Sequence, residues 1–572
     1  MKNREIADLL FKIADALDLS NGDFFKIRAY RRAARAIKDL PEDIEKIYKE
    51  GKLTEIEGVG SGIAKKIEEY LKTGKMTKLE EVSKDIPESL FELLQIRDLG
   101  PKTINALYKE LGVKNLKDLK RVIEDGSFAK VEGLGDKKAE KILENIKLYE
   151  EKIGENKRFT LGEVFFLVEE VVKRLKELKS VKRVSPAGSF RRMKETVGDI
   201  DILVESENPE EVARNFVSFP IIKKVLEKGK TKVSVLLKGL DIQMDLRIVS
   251  PSSYGAALLY FTGSKDHNVK IRSLAMKLGL KINEYGVFRG EEMVAGKTEE
   301  EIYELLKMEF IPPELREDRG EVELALNNSL PSIIDYTEIK GDLHIHSDYS
   351  DGQNSIKELA LFAKNLGYSY IGISDHSKSA SYAKGIKEDE LKRQIDEIDQ
   401  LNEQTKDFKI LKGIESDILP DGSLDFEDKL LEKLDFVIGA IHTGFKKNVT
   451  ERMERALENP YLTILAHPTG RLISSRTGYK VDLDRVMEKA KEKGKILEIN
   501  AYYDRLDLDE INSREAYKRG IKFCINTDAH NFDMFRWIKL GIGIARRAWI
   551  PAEAVINSYP LNDISKFLKK NG

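Results

Sequence analysis

The last third of the chain, residues 339–572, constrains its own fold more tightly than any other stretch. Seven short apolar runs recur there, each meeting a polar residue and leading into a helix-like segment. Leu343–His346 supplies His344 and His346, with Asp351 just after. Tyr370–Ser374 precedes Asp375 and His376, Ile410–Ile414 precedes Glu415, and Phe436–Ile441 precedes His442. Tyr461–Ala466 precedes His467, Ile496–Ile499 precedes Asn500, and Ile521–Asn526 precedes Asp528 and His530. Strand-then-helix units repeated seven times predict a parallel barrel with its chemistry at the C-terminal strand ends. In His344-Ile345-His346, period two turns both imidazoles to one face. A single histidine at a strand end is commonly a hydrogen-bonded structural residue, but nine convergent His, Asp and Glu side chains form a ligand set. Structural zinc takes four ligands in a closed site, often with Cys, and the one cysteine, Cys524, stands outside this set. Nine N/O ligands imply two or three metals with open positions, and manganese, zinc or iron fits.

A second constellation lies at Ala187–Val204, AGSFRRMKETVGDIDILV. Asp199 and Asp201 flank Ile200 in a strand-like run, so period two predicts both carboxylates on one face. Held side by side they repel unless cations sit between them, and two divalent metals there can clamp the attacking and leaving oxygens of a phosphoryl transfer. A third acid, Asp245, stands in the apolar alternation Ile242–Val249. An isolated D-x-D is usually a solvated edge. Gly188-Ser189 upstream changes that reading, because small residues let backbone N–H groups approach a phosphate.

The first 150 residues carry a third signal. Lys26, Arg28, Arg31, Arg32, Arg35 and Lys38 fall in a thirteen-residue run without an acid, interleaved with Tyr30. A pattern then repeats at Ile56–Gly60, Ile96–Gly100 and Val131–Gly135, with the closing glycines 40 and 35 residues apart, each ahead of a lysine-bearing helix. This is the helix-hairpin-helix pattern. Gly58 and Gly133 permit the tight turn, while Gly60, Gly100 and Gly135 open helices whose free N–H groups and positive dipole ends suit a backbone phosphate. Such contacts position DNA without reading its sequence. The net charge of −2 confines DNA contact to local patches of this kind. One cysteine fits a reducing compartment, and the charged amphipathic start Met1–Leu10 does not read as a signal peptide. A cytoplasmic, multidomain protein without membrane contact is expected. Arg158–Leu178 reads as a long amphipathic helix. Tyr260-Phe261-Thr262-Gly263, taken alone, reads as a buried strand end with a turn.

Gly188-Ser189 with Asp199, Asp201 and Asp245 resembles the nucleotidyltransferases of the DNA polymerase beta superfamily, family X. The HxH start and DxH finish resemble the PHP (polymerase and histidinol phosphatase) phosphoesterases. Together they span essentially the whole chain and look like a bacterial or archaeal family X polymerase. That resemblance implies a multidomain α+β and α/β architecture: a helical DNA-binding domain (1–84), a second helical domain with two hairpins (85–152), a palm (153–250), a small α+β thumb (251–318), a linker (319–338) and a distorted (β/α)7 PHP barrel (339–572). It also implies roles. Asp199 and Asp201 would bind both catalytic Mg²⁺ or Mn²⁺ ions, and Asp245 the one that activates the primer 3′-OH. Gly188, Ser189 and Arg192 would hold the triphosphate of a dNTP. Tyr260 and the Phe261–Gly263 backbone would wall off the sugar, with Asn268 at the incoming base, Arg272 on the template side and Tyr285 on DNA. Lys26, Tyr30 and Lys66 match positions that grip the 5′-phosphate of gapped or nicked DNA. Lys66 would be the lyase lysine, or a plain phosphate contact, since a neighbouring family lysine is replaced by Gly62. In the barrel, His344, His346, Glu415 and Asp528 would hold one metal; Asp351, His376 and His530 a second; His442 and His467, with Glu415 bridging, a third. Arg471 and Arg476 would hold a substrate phosphate or lie in a surface loop. The implied activities are gap-filling synthesis in repair and PHP hydrolysis of DNA 3′ ends, as exonuclease, phosphatase or abasic-site endonuclease, by a monomer. A phosphatase for a small metabolite and a non-catalytic DNA scaffold are the alternatives. The three phosphate-gripping repeats argue against the first and the complete acid sets against the second.

Overall fold

The computed structural model describes residues 3–568 except 21, 39–43, 57, 85, 88, 95, 97–98, 132, 136–137, 140, 144 and 147–157. The chain forms two compact units, Met1–Lys157 and Arg158–Gly572. The expected boundary at 152/153 lies outside the described residues.

The first unit is helical. Helices Asn3–Leu19, Phe24–Lys38, Ile44–Lys49 and Ser61–Thr73 close around one apolar cluster, from Ile6 to Met76. Helices Pro101–Leu111 and Leu116–Glu124 close around another, running from Leu90 to Ile146 and joined by Leu19. The hairpin turn recurs with one geometry. Val59 N donates to Ile56 O, Leu99 N to Ile96 O and Leu134 N to Val131 O, at 3.0–3.2 Å. Glu57, Arg97, Asp98 and Glu132 of these motifs lie outside the described residues. Gly58 takes φ +81°, and a Cβ there would fall 2.8 Å from Arg32 Cγ, so the turn requires glycine. Gly60 and Gly100 cap the following helices without a side-chain hydrogen bond, leaving their first N–H groups for an external acceptor.

The second unit begins with the palm. Thr160 and Glu163 form a capping box that starts helix Leu161–Lys176, close to the expected span. The helix lies on a five-stranded sheet ordered Arg183–Pro186, Ile200–Glu205, Gln243–Val249, Lys232–Leu237, Ile222–Lys228. Tyr260–Thr262 is the end of helix Tyr254–Thr262, not a strand. Its residues are apolar nearly all round and buried, and such a helix shows no 3.6-residue alternation to distinguish it from a buried strand. The expected linker is structured too: helix Glu321–Leu326 sets Val322 and Ala325 into the thumb core.

The barrel forms as the sequence predicts. Parallel strands Gly341–Ile345, Tyr370–Ile373 and Lys409–Lys412 pair in order. The third is interrupted at residues 413–414 and resumes as Glu415–Asp417 in the same register, because Ile373 pairs with Lys412 and His376 with Glu415. Ile438–Ala440, Ile464–Leu465, Ile496–Asn500 and Phe523–Asn526 follow, and Ile345 bridges Ala529 to close the ring. Seven strand positions result.

Palm and barrel share a single apolar core that runs from Phe159 and Val168 to Ile542 and Val555. A Cβ on Gly162 of the palm helix would lie 2.3 Å from Tyr503 Cβ of the barrel, which only close backbone approach allows. Helix Ile538–Arg547 makes much of the contact. Lys539 pairs with Glu169 at 2.6 Å, and fully buried Arg547 reaches Glu317 at 3.0 Å, Glu510 at 2.9 Å and the Arg192 carbonyl at 2.5 Å. Removing this cation leaves buried carboxylates without their partner, so Arg547→Ala is expected to destabilise the second unit by about 3–5 kcal/mol. Urea unfolding followed by tryptophan fluorescence checks this, because Trp537 and Trp549, the only two tryptophans, both lie in this unit.

Candidate functional site

In the palm, parallel pairing places Asp201 directly opposite Asp245. The strand starts at Ile200, so Asp199 sits in the bend before it and is exposed, while Asp201 and Asp245 are half-buried. Burial first, then the charges of Asp199 and Asp245, push Asp201 up to about 7. Three acids crowded this way call for cations. Gln243 donates to Asp245 Oδ1 at 2.8 Å, and Lys232 lies 3.7 Å from Oδ2. Gly188, at φ +60°, would place a Cβ 2.5 Å from Asp201 Oδ2, so the turn that carries Ser189 can pass this carboxylate only as glycine.

The next residues settle into distinct partnerships. Arg191 is held by Glu299 at 2.7 Å, and the half-buried Arg192 contacts Glu317 at 3.1 Å and donates to the Thr262 carbonyl. Arg192 thus sits against Gly263, whose Cβ position would lie 3.2 Å from its Nη1. Asn268 Nδ2 donates to the Tyr260 carbonyl at 2.7 Å, and the Phe261 ring carries Arg247 at 4.1 Å. Arg272 and Tyr285 are exposed on the thumb. In the first unit Lys26 is exposed and Lys66 half-buried, its ammonium donating to Gly62 O at 2.8 Å. Tyr30 is buried in the apolar cluster.

At the barrel mouth all nine expected ligands converge. Three groups have donor atoms close enough to share an ion: His346, Asp351, His376 and His530; His344, His346 and Asp528; His376, Glu415 and His442. His346 and His376 therefore each belong to two groups, a closer mesh than three separate sets. His467 Nε2 lies 3.1 Å from Glu415 Oε1. Tautomers decide what the ring nitrogens can do. His344 Nδ1 is 2.7 Å from Glu498, His442 Nδ1 is 2.5 Å from Asp417 and His530 Nδ1 is 2.9 Å from the Asp528 carbonyl, so each Nδ1 carries the proton. Each Nε2 then turns a lone pair toward a carboxylate: Glu415 at 3.4 Å, Glu415 at 3.3 Å and Asp351 at 3.3 Å respectively. Lone pairs facing carboxylates repel unless protons or cations intervene. Burial disfavours charged rings here, yet the facing carboxylates outweigh it and push His442 and His530 up to about 9. Divalent ions would replace those protons, and the donor set fits them. Two of the expected ligands, His467 and Asp528, hold positive φ (27° and 55°), backbone strain of the kind found at functional sites.

Arg471 and Arg476, read as phosphate contacts or loop residues, both lie half-buried in a loop. Arg471 pairs with Glu195 at 2.9 Å and donates to the carbonyls of Arg505 and Leu506, so it pins the palm to a barrel loop and leaves no fork for a phosphate. Arg476 donates to Gly470 O and lies over Phe445. Sequence reasoning also missed the supporting acids. Asp342, Asp417 and Glu498 are buried behind the ligands. Their signal was present: Asp342 is two residues from His344 and Asp417 two from Glu415, on the same strand faces, and Glu498 is an acid inside the apolar run ILEIN.

Among the described residues no helix is long and apolar enough to cross a membrane. Five family models match the chain: a helix-hairpin-helix domain over residues 1–76, a SAM-like helix-hairpin-helix tandem over 90–147, the DNA polymerase beta palm over 160–258, the DNA polymerase beta thumb over 257–317 and a PHP domain over 342–503. The chain is 39% identical over 577 residues, 100% of both proteins, to the DNA polymerase/3′-5′ exonuclease PolX of Bacillus subtilis (strain 168). It is 28% identical over 245 residues, 40% of this chain and 94% of the other, to a probable phosphatase of Thermoanaerobacter sp. (strain X514). A probable phosphatase of Caldanaerobacter subterraneus subsp. tengcongensis is 27% identical over 40% of this chain and 91% of its own.

Proposed function

The chain belongs to the family X DNA polymerases that carry a C-terminal PHP domain, and we propose that it fills short gaps in DNA while its barrel hydrolyses phosphodiesters at 3′ ends. One observation carries the polymerase half: the register that sets Asp201 beside Asp245, with Asp199 two residues upstream and Gly188 pressed against Asp201. Asp199 and Asp201 would hold both catalytic ions, Mg²⁺ or Mn²⁺, and Asp245 would hold the one that activates the primer 3′-OH. When bound, these ions supply Lewis acidity to the 3′-OH and to the departing pyrophosphate. Ser189 and Arg192 hold the triphosphate, and Arg192 exchanges Glu317 for it. Tyr260, Phe261 and Gly263 border the sugar, Asn268 the incoming base and Arg272 the template. Lys26 and Lys66 grip a 5′-phosphate across the gap, and the uncapped helices after Gly60, Gly100 and Gly135 take backbone phosphates. The barrel ligands hold two or three Mn²⁺, Zn²⁺ or iron ions. The likeness to probable phosphatases supports removal of a 3′-phosphate as a second reaction of the same barrel. The setting is DNA repair by a cytoplasmic monomer.

The test uses 5′-phosphorylated DNA with a one-nucleotide gap, a labelled primer and Mn²⁺. With the complementary dNTP the primer gains one nucleotide; without dNTP it shortens from its 3′ end; chelator stops both. Shortening that persists in chelator overturns the barrel assignment, and equal gap filling without the 5′-phosphate overturns the Lys26–Lys66 grip. A DNA scaffold would bind the same substrate and do neither.

A further inference from the structure

Arg505 stands at the barrel mouth beside Asp528, and its guanidinium makes no hydrogen bond among the described residues. It follows strand Ile496–Asn500 on a loop that is tied down on every side. Asn500 and Asp507 exchange backbone hydrogen bonds at 2.6 and 3.2 Å, Ile473 N donates to Asp504 O at 2.7 Å, and Arg471 Nε donates to the Arg505 carbonyl at 2.9 Å. Asp507 in turn accepts from Thr469 N and Gly470 N. The backbone of Arg505 is therefore fixed while its side chain, 19% exposed, is turned toward the ligands. Its nearest carboxylate atom is Asp528 Oδ2 at 3.7 Å, beyond hydrogen-bond distance, and the guanidinium makes no hydrogen bond among the described residues. The neighbouring arginines differ. Arg471 is committed as described above, Arg476 is held by one hydrogen bond from Nε and by the Phe445 ring, and Arg452 donates to the carbonyls of Ile418, Leu419 and Thr443. A guanidinium with its backbone fixed, its nitrogens open to solvent and no protein acceptor is free to take the oxygens of an anion.

Across the mouth stands Tyr382. Its ring centroid lies 6.0 Å from those of both His376 and His442, and the residue is 65% exposed. Tyr382 stands against His376 and His442 and Arg505 against Asp528, so both border the same convergent set of side chains. A phosphodiester presents two non-bridging oxygens that match a guanidinium fork, and a nucleobase presents a π-face that matches an exposed aromatic ring. Both belong to the terminal nucleotide of a DNA 3′ end.

We propose that Arg505 and Tyr382 form the substrate subsite of the barrel: Arg505 holds the scissile phosphate beside Asp528, and Tyr382 stacks on the terminal 3′ base. This deepens the 3′-end hydrolysis proposed above and rests on it. Arg505 neutralises a phosphodiester that would otherwise meet a mouth rich in carboxylates, and Tyr382 distinguishes a nucleotide from a small phosphate ester.

Three substrates separate the roles: an oligonucleotide with an ordinary 3′ nucleotide, the same strand ending in an abasic sugar, and bis(p-nitrophenyl) phosphate. Metal content is measured on every variant, and primer extension serves as the control for folding. Arg505→Ala is expected to lower kcat/KM by about 100-fold on all three with unchanged metal content, and Arg505→Lys to restore about tenfold, because a point charge replaces the fork. Tyr382→Ala is expected to cost about tenfold on the ordinary 3′ end through KM, and less than about twofold on the abasic end, which has no π-face. A loss of metal in both Arg505 variants would make the residue a support for the ligands and overturn the proposal, as would hydrolysis within about threefold of wild type. Equal effects of Tyr382→Ala on the ordinary and abasic ends would overturn the stacking. If the wild type cleaves bis(p-nitrophenyl) phosphate but no DNA end, the 3′-end function fails, and the response of that ester to Arg505→Ala still decides whether the arginine holds a phosphate.

Discussion

Asp201→Asn is expected to lower primer extension by about 10³-fold or more while 3′-end shortening continues at the wild-type rate. The amide keeps the shape of the carboxylate, which matters because Gly188 passes so close that any bulkier change would move the Ser189 turn. What it removes is charge at the place where Asp199, Asp201 and Asp245 meet. The same crowding gives a pH signature. Asp201 is raised to about 7 by burial and by its two acidic neighbours. With its folded-state pKa above the ordinary carboxylate value, the metal-free protein binds this proton more tightly than the unfolded chain does. Stability from this group is therefore lost as pH rises from the ordinary carboxylate range through about 7, where the acid must ionise beside two others. A divalent ion competes with that proton, so it binds better above about pH 7 than below. Mg²⁺ is accordingly expected to raise the melting temperature more at pH 8 than at pH 6, and Asp201→Asn to remove the difference. Calorimetry at the two pH values decides; an equal Mg²⁺ gain in wild type at both would place the cation elsewhere.

The features legible in the sequence were those fixed by local periodicity. Period two put His344 and His346 on one face, and the alternation around Asp245 identified the third acid without its strand partner being known. The seven barrel strands were legible because a buried parallel strand is a short apolar run, and each such run here ends in a polar residue. Tyr260–Gly263 was misread for the same reason in reverse: a helix buried on all sides also appears as an apolar run. The role of Arg471 stayed open in the sequence because its partner Glu195 lies in another domain, nearly three hundred residues earlier, and no local pattern carries that pairing. Arg547 and the shared palm–barrel core were invisible on the same ground. Two modules that each read as complete give no sign that Gly162 must lack a side chain so that Tyr503 can approach. Glu498 and Asp417 lay within local reach, since an acid inside a buried strand needs a buried partner and the nearest ones are histidine ring nitrogens.

That last relation sets the second large effect. His344→Ala is expected to reduce 3′-end hydrolysis by about 10³-fold or more with primer extension retained, because it removes a ring nitrogen that faces both Glu415 and Asp528 and lies in the group formed with His346 and Asp528. It also leaves Glu498 buried without the ring it holds, so lost activity alone would not separate a missing ligand from a disturbed barrel. Glu498→Gln makes the separation. A glutamine can still accept the His344 Nδ1–H through its amide oxygen, and it keeps the volume, but it weakens the hydrogen bond that fixes the tautomer and makes Nε2 a good donor to metal. Its NH₂ group must also fit where Glu498 now accepts from His467 N and from Asn526 and Asn500 Nδ2. Hydrolysis should therefore fall by about 10–100-fold, in proportion to weaker metal binding, and excess metal should restore part of it in Glu498→Gln but none in His344→Ala. Titration of activity and metal content against added Mn²⁺ distinguishes the two. Full restoration of His344→Ala by Mn²⁺ would remove this histidine from the ligand set, and unchanged activity in Glu498→Gln would mean that the tautomer is held by burial alone.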